Sequence, residues 1–413
     1  MDTSLPTSRS IPLPTAFVRL SWSNLAAQMA EQISLAAAPL IAVIALGSGA
    51  GGSGLLQAMQ TLPFLLLSIP AGILADRASR HRMMLLAEGI RLGSLLAILA
   101  LVLTDQLTMT RLVALGFIGA TGTVIYSVCT PALVPTLVPR DRLIAANGRL
   151  ELVRSTSFIA GPALGGLLVG WLGGSTTYAL ATACSLLALL LLTGIREPAR
   201  VPTPRHTPIA DLREGATFLF GSVLLRPLFF TAVFFNLGFY VLMGIYAPYA
   251  HDHLGLSAGE IGVTLAIDGV GMLIGATVAG WLMQRLPFGR VLCIGPLFGL
   301  AAILVMTATI WWQSVWIASL AFFLIGVGPM VWTVSSTTLR QTVTPDALLG
   351  RVSAVILTAT FGARPLGAGI AALVGSTISL RACLLVAVVG FAIQATIILR
   401  SIPARMTTLP AHA

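Results

Sequence analysis

Twelve segments of this chain are apolar over the length that a bilayer crossing requires, and that property removes most of the folds open to it. They run at about 18–46, 53–75, 83–104, 112–137, 146–172, 175–195, 225–250, 259–284, 290–309, 313–339, 350–374 and 379–399. About 20 apolar residues in a helix cross the hydrocarbon core, whereas runs of 10–14 fit a buried core helix. Because hydrocarbon offers backbone groups no partners, each segment must satisfy its own hydrogen bonds as a helix. Composition agrees: 56% of the 413 residues are apolar and only 9% charged, against roughly 25% charged in soluble domains. A soluble enzyme is excluded. The expected fold is an all-α membrane protein of twelve transmembrane helices.

The formal charge of +10 comes from arginine alone, because lysine is absent. That removes a P-loop lysine and Schiff-base chemistry. When the connections are assigned alternately to two sides, fifteen arginines collect on the side of both termini and the central linker, and only Arg111 and Arg381 on the other. The positive-inside rule then places the termini and the linker in the cytoplasm, with the inner membrane of a bacterium as the expected location. The charge therefore reports topology, and no nucleic-acid partner is expected.

No cofactor or metal is expected either. Cys129, Cys184, Cys293 and Cys383 each fall in an apolar stretch without CxxC spacing and read as packing residues. His251 and His253 flank Asp252 in what reads as a solvated loop. Trp311, Trp312 and Trp316 suit an interfacial aromatic belt. The first fifteen residues are polar and proline-rich and lack the apolar core of a signal peptide, so they read as a mature tail.

The expected organisation is a tail at 1–15, a six-helix domain at 16–195, a linker at 196–214, a second six-helix domain at 215–400 and a tail at 401–413. Prolines in the linker forbid a continuous helix, while ADLREGATFLFGSVLLR after it suits a short interfacial helix. The halves also match each other. A shift of 208 residues lays Ala71 on Ala279, Gly72 on Gly280 and Arg77 on Arg285. Small register changes bring Asp141 onto Asp346 and Pro162-to-Gly166 onto Pro365-to-Gly369. Each half reads as a copy of one unit, as in parallel-repeat transporters.

The connection after the second span reads Gly72-Ile73-Leu74-Ala75-Asp76-Arg77-Ala78-Ser79-Arg80-His81-Arg82. It resembles the GxLaDrxGrrr signature of the major facilitator superfamily, with Ser79 where the family has a second glycine. Gly72 allows close backbone approach, Asp76 suits a helix N-terminus, and Arg77 and Arg80 can pair with carboxylates or lipid phosphates. The segments ANGRLELVRSTSFIAGPALGG and TPDALLGRVSAVILTATFGARPLGAGIAAL resemble the fifth and eleventh spans of the branch that includes bacterial enterobactin and macrolide exporters. Gly161, Pro162, Gly165 and Gly166 resemble the kinked antiporter motif of that superfamily's exporters.

The resemblance implies two six-helix bundles that open a central cavity to alternate sides. It further implies efflux of a small amphipathic or hydrophobic compound against inward proton flow, with the lipid bilayer, a small-molecule substrate and protons as partners of a monomer. A proton-coupled importer of a sugar or metabolite is the alternative within the same fold. A receptor or membrane-embedded enzyme is the alternative outside it, with no HExxH or GxSxG to support it and no catalytic residue to name.

Ionisable side chains inside spans are costly and persist only with a partner or a water path, so they point to function. Glu88 and Arg91 lie three apart on one helix face and read as a structural pair, and Glu151 with Arg154 has the same spacing. Glu31 continues a polar stripe with Asn24, Gln28 and Gln32 that should line water or another helix, with Glu31 as a proton-coupling site or a structural partner of Arg154 and Asn24 and Gln28 as candidate cavity residues. Asp268 is a second coupling candidate. It stands where the resembling branch has a small apolar residue, and Arg364 where that branch has a neutral one. Their similar depth, roughly 14–15 Å from the same side at ~1.5 Å per residue, predicts an ion pair. Phe235, Phe239 and Tyr240 are candidate cavity aromatics.

Replacing Asp76 by Asn is expected to abolish transport at near-normal expression. A helix-terminus charge is worth roughly 0.3–2 kcal/mol, enough to tip two balanced conformations. Efflux at the wild-type rate would contradict the assignment.

Overall fold

The computed structural model describes residues 13–139, 142–195, 197 and 208–410, apart from the side chains at 76, 77, 144, 208, 209, 346 and 347. The charged groups of Asp76 and Arg77, the arginines at 9, 140, 196, 200 and 205, and most of the linker therefore lie outside the described residues.

The chain forms α1 (Thr15–Ile44), α2 (Ala50–Arg77), α3 (Arg80–Leu103), α4 (Met109–Leu137), α5 (Leu143–Thr193) and α6 (Pro208–Gly221). The second half contributes α7 (Leu225–Pro248), α8 (Ala258–Arg285), α9 (Phe288–Ala308), α10 (Val315–Val343), α11 (Asp346–Thr377) and α12 (Leu380–Leu399). Among the described residues there is no strand.

The 51 residues of α5 would reach roughly 77 Å if straight, more than twice a ~30 Å hydrocarbon core. The helix folds back at Gly173, whose φ of +81° lies in the left-handed region open to glycine. Arg149 before the fold and Ala188 after it meet Ser21 and Ser23, neighbours at one level of α1. With two crossings in α5 and one in each of the ten other long helices, the protein crosses a membrane twelve times. An even number of crossings returns the chain to the side where it began, called here the terminal side.

The repeat seen in the sequence is visible in the helices. α2 and α8 are both 28 residues long and offset by 208, and α4 and α10 are both 29. The first bundle packs α1 against both halves of α5 and α3 against α4. Phe17, Leu20, Met84 and Tyr126 fill its terminal-side core. The second bundle is centred on Tyr246, Tyr249, Phe322 and Phe391. Its buried phenols find hydroxyl partners, Tyr246 in Thr264 and Tyr249 in Thr309 at 2.7 Å. The sequence placed His251 to His253 in a solvated loop. Instead α7 runs on through a π-helical turn, Tyr249–His253, with the His253 ring 5.1 Å from that of Tyr249. Anchoring of Tyr249 in the core holds the turn in place.

The linker helix α6 lies against the terminal-side end of α11. Arg351 binds Asp211 at 2.8 Å and Glu214 at 2.6 Å, while Leu219 is buried with Leu225 and Val352.

The bundles meet along α2 with α11 and α5 with α8. On the far side small residues let the backbones touch. A Cβ added at Gly54 would lie 2.5 Å from the Ala372 nitrogen, and one at Gly262 would lie 2.7 Å from both Gly166 Cα and the Pro162 carbonyl oxygen. Toward the terminal side a Cβ at Gly72, Gly148, Gly280 or Gly350 would meet nothing within 4 Å, so Gly72 does not serve the close backbone approach that the sequence suggested.

Gly262→Val should therefore wedge the far side open. With the four native cysteines replaced by alanine and a cysteine placed at Thr61, labelling by a membrane-impermeant thiol reagent from the far side should rise several-fold. Unchanged labelling would show that this crossing does not seal the protein.

Candidate functional site

Between the bundles lies a cavity of about 270 Å³, walled by α1 to α5 on one side and by α7, α8 and α11 on the other. Both walls mix apolar and polar side chains, and the polar ones are more numerous on the first. Glu31, Gln32 and Ser34 of α1, Gln57, Gln60 and Thr61 of α2, Arg91 and Ser94 of α3 and Thr123 of α4 are the polar groups of the first, set among apolar neighbours such as Leu35, Phe64, Leu95, Ile98 and Phe158. Phe239, Tyr240, Met243, Leu265, Asp268 and Arg364 make the second.

Of the polar stripe of α1, Glu31 and Gln32 line the cavity, whereas Asn24 and Gln28 do not. Asn24 is buried and accepts from Gln28 Nε2 at 3.3 Å, and neither lines the cavity, which begins at Ala30. Phe235 is also displaced: it stacks on Phe239 at 5.7 Å and packs edge-on to Phe391 in the second core. The stretch Gln57, Gln60, Thr61 and Phe64 was missed, although its i, i+3, i+4, i+7 spacing defines one helix face. It passed as part of an apolar span because glutamine and threonine interrupt hydropathy only mildly.

Glu88 and Arg91 form the expected pair, at 2.8 Å and almost wholly buried. Ser185 donates to the other Glu88 oxygen at 2.5 Å, and Arg91 donates to the Ala27 carbonyl at 3.2 Å while lying over the Tyr126 ring. Three helices, α1, α3 and α5, are joined at this point. Glu151 and Arg154 also pair, at 3.0 Å, but half-exposed on α5, where such a contact is worth little.

That pairing corrects the sequence reading of Glu31. Arg154 is held by its i−3 neighbour and is not the partner of Glu31. The charges that reach Glu31 are Arg91, Glu88 and Arg364, none within ion-pair distance. The proposed Asp268–Arg364 ion pair is likewise absent. Both residues reach the cavity, but α8 packs on α5 and α10 whereas α11 packs on α2 and α7, so equal depth leaves them on different flanks. Arg364 instead donates from Nε to Asn236 Oδ1 at 3.2 Å, among the rings of Phe361, Tyr240 and Phe64 at 4.6, 5.4 and 5.9 Å.

The GPALGG run has two duties. Gly161 and Gly165 admit α1, at Gln32 and at Ile33 with Ala36, whereas Gly166 faces Gly262 across the bundles. Pro162 lines the cavity at the same level.

In the signature connection, Ser79 caps α3 by accepting from the Arg82 N–H at 3.3 Å. It also donates to Glu197 Oε2 at 2.6 Å, which the His81 N–H reaches at 3.1 Å. Arg80 donates to the Ala132 carbonyl. Serine thus replaces the tight turn of the family glycine with a cap. Partial burial pushes the Glu197 carboxyl up, but hydrogen bonds from Ser79 and from the His81 and Arg80 N–H groups outweigh it and hold it below its ordinary value. The latch is complete above the usual glutamate range and is lost as pH falls through the lowered value.

Such a pair of repeated six-crossing bundles around a partly charged cavity is matched by known proteins. The family model described as transmembrane secretion effector matches residues 8–409. The chain belongs to the major facilitator superfamily. The enterobactin exporter EntS of Escherichia coli O1:K1 / APEC is 30% identical over 286 residues, covering 68% of this chain and 67% of that protein. The EntS of Shigella boydii serotype 18 matches equally. Among solved structures, an inward-facing bacterial homologue of the human lysosomal transporter Spinster superposes with a TM-score of 0.71 at 17% identity, over 95% of this chain and 97% of that one. A D-xylose–proton symporter gives 0.73 at 14%, over 95% and 99%. These likenesses show the fold. The protein is a multi-pass membrane transporter rather than an enzyme.

Within this major facilitator scaffold Glu88 is a structural anchor. Glu88→Ala should strand Arg91 in the bundle and cost on the order of 3–5 kcal/mol, whereas adding Arg91→Met should restore most of the loss. Thermal unfolding in detergent reads both, and equal losses in the single and double variants would contradict the anchor.

Proposed function

We propose that this transporter exports a small amphipathic or hydrophobic compound from the cytoplasm of a bacterium, in exchange for protons entering across the inner membrane. The observation that carries the reading is the cavity itself. It is closed on the far side by Gly166 and Gly262, and it holds two carboxylates from spanning helices, Glu31 and Asp268, that have no ion pair among the described residues. A carboxylate in such a place can hold a proton in one conformation and release it when a substrate or a cation arrives.

Three further features support the direction. The arginine distribution puts the terminal side in the cytoplasm. The antiporter-type motif supplies the far-side closure. Two relatives that match over about two thirds of this chain are named as enterobactin exporters. The bilayer, protons and one small-molecule substrate are the partners of a monomeric unit, because each bundle completes its own core and the cavity needs no second copy. Asp76, Arg77 and Arg80 in the signature connection set the balance between conformations.

The experiment is flux in proteoliposomes carrying an internal pH dye, with enterobactin and a set of amphipathic drugs as probes. Substrate efflux against an imposed inward proton gradient should move protons in the opposite direction. Glu31→Gln should keep substrate binding and lose the response to the pH step, since an amide cannot titrate. An unchanged response would make Glu31 structural, and solute accumulation in place of efflux would identify an importer.

A further inference from the structure

Among the charges that face this cavity, Arg364 and Asp268 are of opposite sign, lie on the same wall and have no ion pair among the described residues. On α11, Arg364 engages Asn236 through Nε and lies among three aromatic rings. Among the described residues its two terminal nitrogens meet no protein acceptor. The free part of the guanidinium is therefore its forked edge. On α8, Asp268 lines the same cavity without an ion pair or a side-chain hydrogen bond among the described residues. Ionised groups at this depth are costly unless something pairs with them. Their helices hold them on different flanks, so they do not satisfy each other.

We propose that the transported compound is amphoteric, with a carboxylate that docks on the Arg364 edge and a protonated amine that docks on Asp268. A guanidinium edge presents two parallel N–H donors that match a carboxylate, and a lone carboxylate accepts an ammonium. The apolar body joining the two groups lies against Phe239, Tyr240 and Leu265, which share that wall.

The other charges in the cavity fit this arrangement. Arg91 is already bound to Glu88. Glu31 makes no ion pair or hydrogen bond with Arg364 among the described residues, which leaves the Arg364 edge to the ligand. A purely cationic compound would leave Arg364 unused, and a purely anionic one would meet the fields of Glu31 and Asp268. An amphoteric compound answers both charges and adds no net charge to the hydrocarbon level. A cavity of about 270 Å³ is near the lower end of ligand pockets, ~300 Å³, and suits a body of one or two aromatic rings.

The inference rests on the cavity being the transport site. It is tested by binding to the purified full-length protein in detergent, measured by isothermal titration calorimetry with three probes on one scaffold. These are 4-phenylphenylalanine, its decarboxylated amine and its N-acetyl acid. The amino acid should bind at least tenfold more tightly than either truncated form. In Arg364→Gln its affinity should fall to that of the amine, whose own binding stays unchanged. In Asp268→Asn it should fall to that of the N-acetyl acid. Three wild-type affinities within twofold of each other, no binding of the amino acid at millimolar concentration, or variants that weaken all three probes alike would overturn the proposal. The comparison of probes on the wild-type protein decides the matter even if a variant fails to fold. Proton-coupled flux without this selectivity would refute the amphoteric ligand and leave the exporter reading intact. Selectivity without coupled flux would do the reverse.

Discussion

An unpaired charge or backbone amide has no inexpensive place in hydrocarbon, and the rest of this protein follows from that constraint. It makes every crossing a helix, including the two that α5 makes before and after it folds back at Gly173. It also sorts the intramembrane charges into two populations. Glu88 and Arg91 are paired, capped by Ser185 and the Ala27 carbonyl, and buried, so they weld three helices together. Glu31, Asp268 and Arg364 are left facing a cavity. The first population stabilises one bundle. The second is tolerable only where water or a ligand enters, which is where a transporter must keep it.

The small residues carry the complementary part of the mechanism. Between membrane helices the hydrophobic effect supplies little attraction, so close van der Waals contact decides which helices associate. At the far side Gly54, Gly166 and Gly262 bring backbones of opposite bundles into contact. Toward the terminal side the corresponding glycines stand in open space. A seam closed by small residues is a geometry that a rocking of two stiff bundles can open without unfolding a helix. Arg351 tethers α6 to α11 in the second bundle, while Glu197, earlier in the linker, is bonded to the start of α3 in the first.

The number of crossings, the internal repeat and superfamily membership were legible in the sequence because each is written in local or periodic signals. Apolar length gave the spans, the 208-residue offset gave α2 and α8 their matching bounds, and the i, i+3 spacing gave both same-helix ion pairs. Ser79 already departed from the family pattern, but its use as a cap bonded to Glu197 could not be read, because Glu197 is 118 residues away in sequence.

Partnership across helices was settled only by tertiary structure. Sequence depth placed Asp268 and Arg364 at one level, yet depth is a single coordinate and says nothing of which flank of the cavity a helix occupies. The packing of α8 on α5 and α10, and of α11 on α2 and α7, keeps the two charges apart. The same limit applied to Glu31, whose facing charges sit on α3 and α11, and to Asn24 and Gln28, which share its helix face but fall where another helix covers it. Hydropathy determines that a helix crosses, and periodicity determines which face is unusual. What that face meets depends on the neighbouring helix, and the neighbour is chosen by backbone contacts such as Gly166 on Gly262, whose two residues stand far apart in the chain.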